Sequence, residues 1–188
     1  EKIIAPQFVQ ATDPLTSLYG AFGKFTAENG IELSDIEKVI LTGVGSSHVS
    51  KPLYGLACET VSEFECVGRG GLFLSELSEA IVISMGTGTA FLWASPDGIR
   101  HLCGSGIGGG TLGGLCHKLV GMERFGQIRE LARQGELNKV DLTIKDISQN
   151  PAATLDPDLT AANFGNLAED ATPADLAAGV VNLVLQAV

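Results

Sequence analysis

The stretch Ser84–Gly121, SMGTGTAFLWASPDGIRHLCGSGIGGGTLGGLCHKLVG, decides the fold of this chain. An apolar run, Ala80–Ile83, leads into it and is typical of a buried strand. A second apolar run, Ala90–Ala94, is followed by Ser95–Gly98, which has the composition of a tight turn. Residues Ile99–Cys103 then supply a return strand, so the stretch predicts a β-hairpin.

Two turns rich in glycine and threonine flank this hairpin. Gly86–Thr89 precedes it, and Gly104–Thr111 follows it and opens a segment that can form a helix, Leu112–Val120. Glycine lets backbone N–H groups approach a ligand without a Cβ in the way, and a helix N-terminus adds donors and partial positive charge. The threonine hydroxyls supply further donors at Thr87, Thr89 and Thr111. The pair of turns therefore predicts a phosphate-binding site, with two ordinary tight turns as the alternative.

The composition narrows the class of protein. The 188 residues are 45% hydrophobic, which supports a real core in one domain or two small lobes. The net charge of −10 argues against nucleic-acid binding, and no apolar run approaches the length that spans a membrane. The four cysteines lack C-x-x-C spacing and indicate reduced, buried thiols in a cytoplasmic protein, and the three histidines form no metal-binding pattern.

The remaining patterns predict a mixed α/β chain. Asp13 can cap a helix that has Pro14 in its first turn and Gly30 after its end. The other predicted elements, in chain order, are a strand through residues 3–5 and 8–9 that ends near residues 12–14, strands over 38–41 and 57–61, a helix over 63–75 whose glycines permit close packing, largely helical structure over 112–147, a loop over 150–158 and a helix over 173–188.

Several motifs resemble those of one family. MGTGTA, followed by R-x-x-x-G-S-G-I-G-G-G-T-x-x-G-L, is similar to the second phosphate loop and glycine-rich helix start of type II (eukaryotic-like) pantothenate kinases. These kinases belong to the superfamily of acetate kinases, sugar kinases, heat-shock ATPases and actin. The resemblance continues through Phe125–Gly135, Asn138–Asp141, Lys145–Ile147 and Asp158–Gly165, and covers residues 38–188.

This resemblance implies an α/β, ribonuclease H-like (actin-like ATPase) fold of two lobes, with mixed sheets flanked by helices. Residues 1–78 then belong to the N-terminal lobe and residues 79–188 to the C-terminal lobe. Kinases of this superfamily begin with a D-x-G-G-T phosphate loop and carry a later glycine-rich adenosine loop, and we find neither pattern in the sequence. We therefore expect the chain to lack parts of the fold at both ends.

The function that the resemblance implies is ATP- and Mg²⁺-dependent phosphorylation of pantothenate to 4'-phosphopantothenate, the first step of coenzyme A biosynthesis. It also implies a homodimer and feedback by an acyl-coenzyme A ligand. The alternatives are another small-molecule kinase of the superfamily, or a non-catalytic nucleotide-binding member. A dinucleotide-binding module, suggested by Gly104-x-Gly106-x-x-Gly109, is disfavoured because residues 121–150 predict more helix where that fold needs a strand.

The resemblance also implies the catalytic carboxylate. It matches Glu63, at the strand-to-helix junction Val61–Cys66, to the family's proton acceptor. The alternative is that Glu63 only interacts with the dipole of the helix that it begins.

For the substrate and the nucleotide, the resemblance implies two further sets of residues. His101 lies where the family has an arginine, and Arg100 lies one residue earlier. The resemblance therefore implies that the substrate is contacted either by His101 or, through a β-bulge, by Arg100. The alternative is that Arg100 is an ordinary solvated charge on the strand. The loop Thr42–Ser47 resembles a T-G-G-x loop but has Val44 in place of glycine. The positions matched to ATP contacts are Thr87, Gly88, Gly109, Gly110, Thr111, Leu112, Gly113 and Phe125, the last of which also suits a core position.

Overall fold

The computed structural model describes residues 6–9, 13–49, 51–148 and 155–188. The chain forms two compact units. One comprises Glu1–Val82 and Trp93–Arg100, and the other comprises Ile83–Leu92 and His101–Val188. The predicted boundary between two lobes at residue 78 stays a prediction, because each of these compact units is built from two separate segments of the chain and does not correspond to one lobe.

The described residues contain six α-helices, seven strands and three short 3₁₀ helices. The helices are α1 (Pro14–Asn29), α2 (Glu63–Ser75), α3 (Gly109–Val120), α4 (Phe125–Ala132), α5 (Ile144–Ile147) and α6 (Pro173–Gln186). The strands are β1 (Val39–Leu41), β2 (Cys58–Thr60), β3 (Ala80–Met85), β4 (Thr89–Ser95), β5 (Gly98–Ser105), β6 (Leu142–Thr143) and β7 (Thr160–Ala162). The 3₁₀ helices are Leu33–Asp35, Val44–His48 and Leu137–Lys139.

Helix α1 begins and ends where its capping residues predict. The Asp13 carboxylate accepts a hydrogen bond from the Thr16 N–H at 2.7 Å, and Pro14 occupies the first turn, where its missing N–H costs nothing. Gly30 adopts the left-handed conformation, with φ of 61°, and ends the helix. The sequence prediction for this element is confirmed.

Strands β1 and β2 form a parallel pair, with Val39 opposite Cys58 and Leu41 opposite Thr60. Because they are parallel, their carboxyl ends lie at the same edge. The Val61 N–H extends the pairing by donating to the Leu41 carbonyl at 2.9 Å. This edge carries the loop that follows β1 and the start of α2, which begins at Glu63 as predicted.

Helix α2 packs closely through its glycines, as the sequence predicted. A Cβ at Gly68 would lie 2.6 Å from the Ile99 side chain, and one at Gly71 would lie 2.7 Å from Val82. Both distances are shorter than any normal contact, so alanine at either position would force a displacement. The two glycines therefore lower the helix propensity of α2 but allow the helix to lie close to Ile99 and Val82.

The predicted hairpin is confirmed. Strands β3, β4 and β5 form a three-stranded sheet in that order, and Pro96 and Asp97 make the turn between β4 and β5. Pro96 suits a turn because its φ is fixed and it offers no N–H to a strand partner.

The core of the second unit lies between α3, α4 and α6. Cys116, Ile128 and Val180, one from each helix, are fully or almost fully buried and pack together. Burial raises the pKa of the Cys116 thiol, because the low-dielectric core disfavours the thiolate. Cys103 is exposed, so the prediction of buried thiols was wrong at that position. Helix α6 is the most deeply buried of the three, and Thr172 caps it by accepting a hydrogen bond from the Asp175 N–H.

Residues 112–147 are largely helical, as predicted, and contain most of α3 together with α4 and α5. Strand β6, which was not predicted, also lies within them and pairs with β7 in the antiparallel direction. The pairing joins residues about twenty positions apart, which local periodicity does not reveal. A short strand does follow the glycine-rich turn, but its antiparallel partner differs from the parallel βαβ unit of a dinucleotide-binding module.

The prediction of an N-terminal strand is wrong for Phe8 and Val9, which are the residues of its apolar runs that the structure describes. Residues 3–5 lie outside the described residues, as does most of the predicted loop over 150–158. Phe8 and Val9 belong to no strand, and Phe8 is 87% exposed. Over the described ranges, no helix combines the length and apolarity needed to cross a bilayer.

Candidate functional site

The two glycine-rich turns lie directly against each other. The Gly109 N–H donates to the Gly86 carbonyl at 2.8 Å, and the Gly110 N–H donates to the Thr87 carbonyl at 2.9 Å. The buried Thr89 hydroxyl adds a third link by donating to the Ile107 carbonyl at 2.8 Å. The turns therefore form one structural unit at the start of α3.

Close backbone packing explains several of the glycines. A Cβ at Gly108 would lie 2.7 Å from the Gly88 backbone, and one at Gly109 would lie 2.9 Å from the Gly86 carbonyl oxygen. A Cβ at Gly88 itself would lie 2.7 Å from the Ser105 carbonyl oxygen. These glycines were predicted to let a ligand approach the backbone, but their immediate role is to let the two turns touch.

This packing reduces the number of donors that remain for a phosphate. The N–H groups of Gly109 and Gly110 are already used, and the Thr111 hydroxyl donates its single proton to the Gly106 carbonyl at 3.1 Å. The Thr89 hydroxyl is occupied as well. Three threonine hydroxyls were expected to be available as donors to a phosphate, but only that of Thr87 remains available. Thr87 is exposed, and its hydroxyl makes no hydrogen bond within the described protein.

A cavity of ≈ 450 Å³ opens beside the start of α3. Four of the residues matched to ATP contacts line it together: Gly109, Leu112, Gly113 and Phe125. The first three share one face of α3, because residues three and four apart lie on the same side of a helix. The opposite wall is apolar and comes from α6, through Val181, Val184 and Leu185.

Phe125 occupies the surface rather than the core. It is the first residue of α4 and is 63% exposed. Its ring lines the first cavity and also a second one of ≈ 370 Å³, whose rim carries Arg129 and Arg133. The exposure contradicts the core alternative for Phe125 and leaves the ring available to a planar ligand, while its role as a nucleotide contact stays a prediction.

Glu63 is the first residue of α2, at the edge where β1 and β2 end. Its side chain is exposed and makes neither a hydrogen bond nor an ion pair within the described residues. The neighbouring Glu65 instead forms an ion pair with Arg69, one helical turn later. Glu63 is thus the carboxylate at this helix start that is left available for chemistry, although its catalytic role stays a prediction.

Arg100 and His101 are consecutive residues of β5, and both are exposed. Successive side chains of a strand point to opposite faces, so the two belong to different sides of the sheet. His101 lies near the second glycine-rich turn, since a Cβ at Gly104 would lie 3.5 Å from its Nε2 atom. Which of the two contacts a substrate stays open.

Sequence reasoning missed a buried cluster around Asp141. This fully buried carboxylate accepts hydrogen bonds from the Phe164 N–H at 2.8 Å and from Asn182 Nδ2 at 2.7 Å. Asn163 Nδ2, at 3.3 Å, and the Thr160 hydroxyl, at 3.4 Å, complete its shell. The signal was an aspartate between the apolar residues of Val140-Asp141-Leu142, a position that a surface charge does not favour.

Asp141 brings two sequence motifs together. Asn138–Asp141 and Asp158–Gly165 were quoted as separate points of resemblance, and the carboxylate of the first receives donors from the second. Phe164 adopts the left-handed conformation, with φ of 56°, at the centre of this contact. The motifs therefore have a structural role next to α6, which forms a wall of the cavity.

A family model named Fumble matches residues 79–186, which is more than half of the chain. The chain belongs to the Fumble family. The match includes both glycine-rich turns, helices α3, α4 and α6, and the Asp141 cluster.

Curated relatives of this Fumble-family chain include proteins named "Type II pantothenate kinase" from Staphylococcus aureus strains USA300 and Mu50. Each is 32% identical in an alignment 158 residues long that covers 79% of this chain. The chain spans 59% of the length of these relatives. The resemblance to type II pantothenate kinases, which the sequence motifs suggested, is confirmed.

A solved structure supports the fold. Component A of the (R)-2-hydroxyglutaryl-CoA dehydratase of Acidaminococcus fermentans aligns with 95% of this Fumble-family chain and 57% of its own length, with a TM-score of 0.51. Sequence identity is only 12%, so the likeness concerns the fold alone. The fold is the predicted α/β, actin-like ATPase fold, with sheets flanked by helices.

Proposed function

We propose that this Fumble-family protein is a pantothenate kinase that binds ATP in the cavity beside α3. The observation that carries the proposal is the convergence of Gly109, Leu112, Gly113 and Phe125 on one cavity. These residues were matched to ATP contacts from sequence, and they come from two helices. The relatives named type II pantothenate kinases support the choice of substrate.

The chemistry of the cavity suits a nucleotide. Its volume of ≈ 450 Å³ is within the usual range for small-molecule sites. Apolar walls from α6 and the exposed Phe125 ring match a planar base. Gly109, at the positive end of the α3 dipole, and the nearby Thr87 hydroxyl match the anionic phosphates.

The transfer requires a proton acceptor and groups that stabilise the moving phosphoryl. In this proposal, the primary hydroxyl of pantothenate gives its proton to the Glu63 carboxylate, and the hydroxyl oxygen bonds to the γ-phosphorus of ATP. The γ-phosphoryl of ATP is transferred, and ADP leaves. Thr87 donates a hydrogen bond to the phosphates, and His101 or Arg100 orients the substrate.

The residues described here do not assemble a metal site of their own. Among them, no group of three or more His, Cys, Asp or Glu side chains is arranged to hold a metal ion. We therefore assign no Mg²⁺ ligand in this chain and derive no step through the ion. Mg²⁺ dependence, a homodimer, acyl-coenzyme A feedback and a cytoplasmic location remain parts of the proposal that rest on the family resemblance.

A phosphoryl-transfer assay tests the proposed function. The protein is incubated with ATP, Mg²⁺ and either pantothenate or a panel of sugars and other small alcohols, and ADP release is followed. We expect turnover with pantothenate and none above background with the panel. Turnover of a sugar without turnover of pantothenate would show that pantothenate is not the substrate. Failure of the protein to bind any nucleotide would contradict the whole proposal.

A further inference from the structure

Glu123 is the one charged residue among the ten that line the cavity beside α3. It lies just after α3, where Gly121 ends the helix in the left-handed conformation, with φ of 69°. The Met122 N–H then bonds back to the Cys116 carbonyl at 3.3 Å, which fixes the turn that delivers Glu123 to the cavity. A single carboxylate at the exposed rim of an otherwise apolar cavity favours a ligand that places a polar donor beside it.

One oxygen of this carboxylate is already held. His117 Nδ1 lies 3.1 Å from Glu123 Oε1, and the two side chains are 62% and 76% exposed, so this pair lies at the solvent-facing rim of the cavity. The second oxygen, Oε2, makes no hydrogen bond within the described protein. An ionised carboxylate only accepts hydrogen bonds, so a ligand at this position must present a donor.

Two residues that line the cavity, Gly109 and Glu123, differ in electrostatic character and flank α3 in the sequence. Gly109 is the first residue of the helix, where the dipole is positive, and Glu123 follows its last residue, Val120. Eleven residue steps separate Gly109 from Val120, which corresponds to about 16 Å along a helix axis. The two ends therefore suit an elongated ligand with an anion at one end and a hydrogen-bond donor at the other.

ATP has this arrangement of groups. Its triphosphate is the anionic end, and the exocyclic 6-amino group of adenine is a donor at the far end. We propose that the Glu123 carboxylate accepts a hydrogen bond from this amino group and so selects adenine over purines that carry a 6-oxo group. This inference rests on the proposed function and adds the residue that chooses the base.

The inference predicts how the protein discriminates between nucleotides. A 6-oxo group in place of the amino group, as in ITP, puts a carbonyl oxygen against the carboxylate, where two acceptors repel. Losing a hydrogen bond to a charged group lowers the binding affinity by about 10-fold or more. We therefore expect the wild-type protein to bind ATP at least about 10-fold more tightly than ITP.

Calorimetric titration of wild-type protein and two variants with ATP, ITP and 2'-deoxy-ATP tests this inference. In Glu123→Gln the neutral amide can donate as well as accept, so we expect the ratio of the ITP to the ATP dissociation constant to fall to within about 3-fold of one. The matched control is Glu130→Gln, which removes a surface carboxylate of α4 that does not line this cavity. The control variant should keep the wild-type ratio.

The outcomes separate the inference from the function on which it rests. An unchanged ATP-to-ITP preference in Glu123→Gln would overturn the inference, as would equal binding of the two nucleotides by the wild-type protein. The inference would also be overturned if Glu123→Gln changed the affinity for 2'-deoxy-ATP relative to ATP but left the ATP-to-ITP preference unchanged, since Glu123 would then contact the ribose. Absence of nucleotide binding by the wild-type protein would instead overturn the proposed function.

Discussion

At the scale of single residues, the glycines of the two turns divide into two groups. Some are required because another backbone lies where a side chain would begin, as at Gly108 against Gly88. Others, such as Gly106, have no atom within 4 Å of an added Cβ. The sequence shows the same letter at both positions, so only the structure separates them.

This difference gives a prediction for Gly108→Ala. We expect the added methyl group to push the two turns apart and to lower the free energy of unfolding by about 1–3 kcal/mol, the usual cost of overpacking. Gly106→Ala is the matched control and should stay within about 0.5 kcal/mol of wild type. Urea denaturation of the three proteins measures both effects, and equal stabilities would contradict the packing role.

Glu63 gives a second prediction at this scale. Glu63→Gln keeps the size of the side chain but removes the base, so turnover should fall by about 10²–10⁴-fold while ATP binding persists. Glu65→Gln is the control, because its carboxylate is engaged by Arg69 and should leave turnover near that of wild type. If Glu63 serves only the helix dipole, its variant will instead lose about 0.3–1 kcal/mol of stability and keep its turnover.

At the scale of elements, Asp141 joins β6, β7 and α6. Asp141→Ala would leave the partly buried Phe164 N–H without its acceptor and would remove one of the two acceptors of the Asn182 amide, the other being the Thr160 hydroxyl. We expect a loss of about 3 kcal/mol, since each unsatisfied buried donor costs about 1–3 kcal/mol. Asp158→Ala is the control, because its ion pair with Lys145 is exposed and is worth about 0–1 kcal/mol. Similar unfolding midpoints for the two variants would contradict this role.

The first turn of α6 carries a pH-dependent contact. The N–H groups of Glu136 and Thr172 and the Thr172 hydroxyl donate to Asp175 and lower the pKa of its carboxyl from 3.8 to about 2. A depressed pKa in the folded state stabilises the fold above the unfolded value and loses that contribution as the pH falls toward 2.

Asp175→Asn tests this contact. The variant should be less stable than wild type at pH 6, and the difference should shrink between pH 4 and pH 2 as the wild-type carboxylate takes up its proton. Urea unfolding at several pH values measures this difference. A difference that stays constant down to pH 2 would contradict the assignment.

At the scale of the whole molecule, local signals predicted the elements that depend on local chemistry. The caps of α1, the start of α2 at Glu63 and the hairpin were correct because capping, turn composition and apolar runs act over a few residues. Strand β6 was missed because its partner, β7, lies far along the chain, and no local period records such a pairing.

The candidate site was predictable in part for the same reason. Gly109, Leu112, Gly113 and Phe125 were identified by motif, and the cavity unites them. The contribution of α6 was not predictable, since Val181, Val184 and Leu185 look like ordinary core residues of an apolar helix. The occupied hydroxyls of Thr89 and Thr111 were also unforeseen, because sequence does not show which oxygen accepts a proton.

The central claim is that the cavity beside α3 holds ATP, and titration of Gly113→Ala with ATP tests it most directly. Gly113 lines the cavity and Gly114 does not, yet an added Cβ meets no protein atom within 4 Å at either position. Both alanine variants should therefore keep or gain about 0.5–1 kcal/mol of stability, as alanine favours a helix. We predict that Gly113→Ala raises the dissociation constant of ATP at least about 10-fold and that Gly114→Ala leaves it within about 2-fold. Wild-type affinity in Gly113→Ala would contradict the claim.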